Sequence, residues 1–130
     1  MEFEVSTAAR LSTVDVTAQV RECVPEDVES GLCTAFVRHT TAGLLIQEAE
    51  SRLLEDIEHF FDDLVPDEGH AHDELDGNAD SHLRAALVGP SVTVPVRDGD
   101  LALGTWQSVL LLECDGPRTR RVTVTTVSGD

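Results

Sequence analysis

Lysine is missing altogether. All nine basic residues of the 130-residue sequence are arginine, against 25 acids, for a formal net charge of −16 at pH 7. A field of that sign repels nucleic acid and anionic membrane surfaces, so neither is expected as a partner. It also opposes the compact state by self-repulsion unless salt screens it, and at about 1 M salt the Debye length falls to ~3 Å. A halophilic, high-salt interior accounts for both the acid excess and the missing lysine stems; an acidic, cation-attracting surface is the alternative. No apolar stretch nears the ~20 residues of a membrane-spanning helix, and the start, Met1-Glu2-Phe3-Glu4, has none of the basic and apolar regions of a signal peptide. The expectation is a cytoplasmic protein. Cysteine is scarce: Cys23, Cys33 and Cys114 are odd in number and show no CxxC spacing, so neither a disulfide framework nor a zinc knuckle follows. Each adjoins an apolar run and reads as a buried free thiol. Internal repeats, low-complexity tracts and a glycine-rich phosphate loop are absent too.

What is present is an ordinary globular composition, 41% hydrophobic, in a length that suits one domain over residues 1–130. Phe3 and Val5 alternate with acids as a strand over 3–8. Val16, Val20, Cys23 and Val24 fall at helical spacing, with Thr13 or Asp15 as cap and Pro25 as stop. Leu32–Arg38 and Leu44-Leu45-Ile46 read as strands around the turn His39-Thr40-Thr41-Ala42-Gly43. The clearest helix covers 49–64, with Leu53, Leu54, Ile57, Phe60, Phe61 and Leu64 in one stripe. An acidic loop over 66–78 leads to a helix over 79–88, capped by Asn78 or Asp80, with Leu83, Ala86 and Leu87 inward. Strand alternation then dominates: Val92, Val94 and Val96, the Asp98-Gly99 hairpin turn, Leu101 and Leu103, Val109–Cys114, and Arg121–Val127. Pro95 marks an edge or a bulge. The fold class is α+β, a single domain of largely antiparallel β-sheet with two or three helices.

Several residues could carry chemistry. His70, His72 and His82 share the 69–82 stretch with several carboxylates, a donor set that zinc-like ions accept, although acidic loops of this kind are also simply solvated. His82, beside apolar Leu83 and Ala86, reads as a held side chain, either a ligand or a histidine with a satisfied hydrogen bond. His59 reads as a surface residue. His39 ends a strand and opens a threonine-rich turn, a place for a ligand or acid–base group as well as for a structural histidine. Trp106, within Gly104-Thr105-Trp106-Gln107, is either core or a ring-stacking platform, and Glu48 a functional or a solvated acid. Arg97 is the best anion-binding candidate, or else half of a surface ion pair. His39, His72 and His82 lie on separate elements, and we expect them to converge on one divalent ion, with Glu48 and Asp73 nearby. Three imidazoles favour zinc; magnesium is the alternative.

The ordered segments His39-Thr40-Thr41-Ala42, Asp76-Gly77-Asn78-Ala79 with His82, Gly89–Val96, Asp98-Gly99, Leu103–Gln107 and Asp115-Gly116-Pro117-Arg118 resemble the YjbQ-like family, also labelled secondary thiamine-phosphate synthase. The resemblance covers nearly the whole chain. It implies a small α+β domain forming a homotrimer, with polar clefts near subunit contacts. It further implies a synthase activity that joins hydroxymethylpyrimidine diphosphate to thiazole phosphate and releases pyrophosphate. On that reading a metal and Arg97 neutralise the leaving group, while Glu48 or Trp106 shelters the pyrimidine-methyl cation and Gln107 assists. Thr40, Asn78 and Thr105 would bind substrate. The same resemblance places Asp80 where some relatives carry a histidine, an anionic substitution near the expected metal. A trimeric metal- or small-ligand-binding protein with incidental synthase activity is the second reading, favoured by the short supply of cations.

Overall fold

A computed structural model describes residues 1–129. In chain order the elements are β1 (Glu2–Ser6), β2 (Ser12–Asp15), α1 (Thr17–Glu22), β3 (Gly31–Val37), β4 (Ala42–Gln47), α2 (Ser51–Leu64), α3 (Ala79–Val88), β5 (Ser91–Arg97), β6 (Asp100–Leu101), β7 (Ser108–Glu113) and β8 (Thr119–Ser128). A single 3-10 turn at Ala71–Glu74 interrupts the acidic loop. Every strand pairing is antiparallel, in one sheet ordered β1-β8-β3-β5-β6 and another ordered β2-β7-β4. The α+β expectation holds. Among the described residues no helix is long and apolar enough to cross a membrane.

The main core lies between the sheets. Cys33, Ala35 and Val37 of β3, Val94 and Val96 of β5, and Val122 and Val124 of β8 meet Val109 and Leu111 of β7 there. Each set obeys the period of two, so the other faces of these strands carry Leu32, Phe36 and Val127 outward. β7 breaks the alternation because both its faces are covered. Leu112 turns away from the sheets to pack with Ala85, Phe61 and Val88 of the helices, and every residue from Val109 to Glu113 is fully enclosed. All three cysteines are buried and free, and burial pushes the Cys114 thiol up to about 12.

Three local readings need correction. Thr13 and Asp15 belong to β2 rather than to a helix cap, although Asp15 Oδ1 does accept the Thr17 N–H at 3.0 Å. Hairpin alternation after the Asp98-Gly99 turn, where both residues have positive φ, stops at Leu101. The largest difference is α3, which turns its polar side inward. Asp80, Ser81, Arg84 and Ala85 are buried, whereas Leu83 and Leu87 are exposed. Arg84 explains the inversion. Its Nε donates to the Phe61 carbonyl at 2.8 Å, and Nη2 donates to those of Asp62 and Val65 at 3.2 and 2.7 Å, closing the open end of α2. Asp80, one turn earlier, supplies the countercharge through Arg84 Nη1. The α2 stripe is also only half covered, with Phe60 and Leu64 exposed.

Candidate functional site

β8 and β7 each run the core pattern on by one further step at the same end of the molecule. On β8 the inward series Val124, Val122 continues to Arg120, and on β7 the series Val109, Leu111 continues to Glu113. Two charges thus occupy core positions, Arg120 only 3% exposed and Glu113 fully enclosed. They meet side-on. Arg120 Nε donates to Glu113 Oε1 at 2.8 Å and Nη2 donates to Oε2. Nη2 also donates to the Thr41 hydroxyl at 2.8 Å and the Thr41 carbonyl at 3.1 Å, and Thr7 donates to Glu113 Oε1 at 2.7 Å. Burial pushes Glu113 up, but these donors outweigh it and hold the carboxyl below its ordinary range.

Above this pair opens a cleft of about 410 Å³, walled by the Arg38–Thr41 turn, the Asp115–Arg118 turn, and Asp76, Asn78 and His82 at the start of α3. The Asp115–Arg118 turn contains a cis Gly116–Pro117 bond. It passes so close to Ala9 that a Cβ on Gly116 would meet the Ala9 carbonyl at 2.2 Å, which only glycine avoids. Arg118 Nη2 and Asn78 Nδ2 both donate to Asp115 Oδ2, at 2.9 and 3.0 Å. Burial raises Asp115, but Asn78 and Arg118 outweigh it and keep the carboxylate ionised. A second hollow of about 350 Å³, floored by Ala42, Ala85, Ala86 and Pro90, shares His39 and His82 with the cleft. Together they make one trough with arginines at one end and apolar wall at the other.

His39 has its basicity lowered by burial first and by Arg120, Arg118 and Arg121 next, against the pull of Glu113. It is therefore neutral at pH 7, and its Nε2 accepts the Arg121 backbone N–H at 3.2 Å. A neutral ring whose Nε2 is an acceptor carries its proton on Nδ1, so His39 has no free lone pair for a metal. His72 and His82 do meet, rings edge to face at 4.9 Å between centroids. His72 Nε2 is buried without a hydrogen bond, with Asp76 Oδ2 3.5 Å away. No three His, Cys, Asp or Glu side chains among the described residues are grouped to hold an ion. The structure thus brings His72 and His82 into ring contact and His39 and His82 to one cleft. Asp73 is committed elsewhere, accepting the backbone N–H groups of His70 and Ala79. Asp80 is not near the cleft in any functional sense: it is fully buried between Arg84 and Arg10, the latter at 2.5 Å.

The remaining expected residues lie far off within one chain. His39 and Thr40 precede Ala42, which pairs with Glu113, whereas Gln47 pairs with Ser108. Five residue steps at ~3.4 Å separate these ends by about 17 Å. Glu48, Thr105, Trp106 and Gln107 all sit at the far end. Trp106 is 73% exposed there, and Gln107 accepts the Gly104 N–H at 2.8 Å, so Trp106 is not core. Arg97 is likewise remote: β5 places it beyond the Gly31–Val96 pair, while the cleft adjoins the Phe36–Ser91 end. The anion-binding candidates are instead Arg38, Arg118 and Arg120, three of the nine arginines in one cleft. Short cation supply in the whole chain is therefore offset by local clustering. The signal available in sequence was Arg120 and Glu113 at inward positions of their strands.

A family model described as UPF0047 protein YjbQ-like matches residues 1–129. A UPF0047 protein of Archaeoglobus fulgidus is 54% identical over 125 residues, covering 95% of this chain and 98% of that protein. The UPF0047 protein YugU of Bacillus subtilis is 36% identical over 91% of each. Among solved structures, a hypothetical protein of Aeropyrum pernix K1 superposes with TM-score 0.95 at 40% identity, covering 99% of this chain and 98% of that one. A YbjQ-like protein of unknown function from Sulfolobus solfataricus P2 gives TM-score 0.95 at 38% identity, covering 99% and 96%.

Proposed function

The chain belongs to the YjbQ-like UPF0047 family, and from that membership we propose that the trough between the Arg38–Thr41 turn and α3 is the working site of a thiamine-phosphate-type synthase. One observation carries the reading: Arg38, Arg118 and Arg120 gather at one end of a cleft whose other end is apolar. That layout suits a small phosphorylated ring. In the proposed reaction the bond between the pyrimidine methylene carbon and the diphosphate oxygen breaks, and pyrophosphate leaves with the electron pair. The thiazole nitrogen then closes the new carbon–nitrogen bond with its own lone pair. Arginines neutralise the departing charge where it develops, and the neutral His39, held by the Arg121 N–H on Nε2, can offer its Nδ1–H as a hydrogen-bond donor to the leaving oxygen while keeping the proton.

Homotrimer formation is part of this proposal. Trp106, Thr105, Gln107 and Glu48 lie far from the His39 end of their own chain, and in this proposal a neighbouring copy brings them. The exposed indole supports this, since a large ring in water is costly to leave uncovered. A zinc ion on His72 and His82 is a separate proposal, supported by the orphaned His72 Nε2, and no step above depends on it. Zinc would supply Lewis-acid neutralisation of the diphosphate.

The second reading, a binding protein with incidental synthase activity, is favoured by the separation of the two residue groups within one chain. Incubation of purified protein with both phosphorylated precursors at molar potassium chloride decides between them. Pyrophosphate release that requires both precursors supports the synthase. Binding of either precursor without release supports the second reading.

A further inference from the structure

Arg120 keeps one part of its guanidinium unused. Nε and Nη2 are committed to Glu113 and Thr41, but Nη1 has no hydrogen-bond partner among the described residues. Arg120 is only 3% exposed, yet it lines the cleft as well as the hollow beside Glu4, Thr119 and Arg121. A guanidinium is always charged, and one clamped on two sides loses almost no freedom when it binds. Its two free N–H bonds therefore form a fixed donor beside the cleft.

We propose that Arg120 Nη1 is the inner donor of an oxyanion subsite for a phosphate-class group, with Glu113 as the positioning residue that aims it. This rests on reading the trough as the working site. Arg118 and Arg38, both exposed, close over the group from the rim. Asp76, Asp115 and Glu113 balance the three arginines, so the cleft holds an oxyanion by directed N–H groups and not by net charge. The adjoining Ala42, Ala85, Ala86 and Pro90 wall extends the subsite for a ring carried on that phosphate.

Calorimetric titration with inorganic phosphate and with phenyl phosphate tests this, at one fixed salt concentration, on wild type, Arg120→Lys and the remote control Arg97→Ala. Wild type and the control should bind both anions. Tighter binding of phenyl phosphate identifies a phosphate ester as the ligand, and equal binding identifies the free anion. Arg120→Lys keeps the charge but loses the fork, and should weaken both by tenfold or more. Equal affinity in a folded Arg120→Lys overturns the proposal. Should that variant not fold, the wild-type structure with phenyl phosphate decides: a phosphate oxygen hydrogen-bonded to Nη1 supports the subsite. An anion placed anywhere else, an adventitious ion only, or no binding overturns it. Glu113→Gln makes the cleft one charge more positive, so weaker anion binding in the folded variant reports lost aim and supports the positioning role, while unchanged or tighter binding overturns it. Anion binding through Arg120 without any thiamine phosphate formed refutes the synthase and leaves the subsite standing. Full synthase activity in Arg120→Lys does the reverse.

Discussion

Replacing Arg84 by methionine should be among the most damaging single changes this chain can suffer. Arg84 is 1% exposed and Asp80 fully enclosed, so the substitution strands a carboxylate whose Oδ1 already lacks a partner. Arg10 would remain its single cation, at 45% side-chain exposure. Three carbonyls at the end of α2, those of Phe61, Asp62 and Val65, would lose their donor as well. Breaking a buried pair in this way costs about 3–5 kcal/mol. Against a total stability of about 5–15 kcal/mol, that is a large share. With a urea slope of ~2 kcal/mol per molar, the unfolding midpoint should drop by about 2 M. The measurement needs constant salt and constant protein concentration, because subunit association would shift the midpoint too. The double change Asp80→Leu with Arg84→Met should recover part of the loss, since no charge is then left alone. Acid adds an independent check. Burial raises the Asp80 pKa, but hydrogen bonds from Arg10 and Arg84 outweigh it and hold it below 3.8. Asp80 thus contributes stability that is present above the ordinary carboxylate range and lost as pH falls below about 3.8 toward the lowered value. Wild type should lose more stability across that window than Arg84→Met does. A midpoint shift under ~0.5 M, or a double variant weaker than the single one, would refute this account.

Salt should stabilise the protein: with a net charge of −16, the melting temperature should climb from dilute buffer to molar potassium chloride, and a flat or falling curve removes the halophilic reading. Sedimentation at molar salt should show three chains, and Trp106→Ala should weaken assembly; a wild-type monomer at micromolar concentration breaks the shared-site proposal. Zinc content after dialysis should fall in His72→Ala and His82→Ala but not in His59→Ala, and identical content in all four proteins ends the metal proposal.

Strand alternation made most of the fold legible. The inward valines of β5 and β8 and the Asp98-Gly99 turn are signals carried by single segments. What could not be read was the partner of each polar residue. Leu83, Ala86 and Leu87 look like a core stripe, and α3 nonetheless buries Arg84, because α2 ends a few ångströms away with three open carbonyls. His39 looks like a ligand until the Arg121 N–H, 82 residues further on, occupies its lone pair. His39, Asn78 and His82 were found because they carry chemistry in their own right. Arg97 is conspicuous in sequence because it ends β5 just before the Asp98-Gly99 turn, but it lies at the wrong end of its sheet, whereas Arg118 and Arg120 gain their meaning from partners in other segments.

The β4–β7 ladder has one further consequence, for how such chains can vary in length. Hydrogen bonds from Ala42–Glu113 to Gln47–Ser108 make it a ruler between the arginine cleft and the Trp106 turn. Inserting one residue in β7 would send Leu111 toward the helices and Leu112 toward the sheets, reversing every side chain beyond it. Removing two would keep the faces but shorten the ruler by about 7 Å. Growth and loss of chain are therefore easier at exposed Glu68, beyond the Asp67 carboxylate that Arg84 holds, and forbidden along the β4–β7 pair. Length polymorphism, where it occurs, should leave the spacing between Thr41 and Glu48, and between Gln107 and Glu113, untouched.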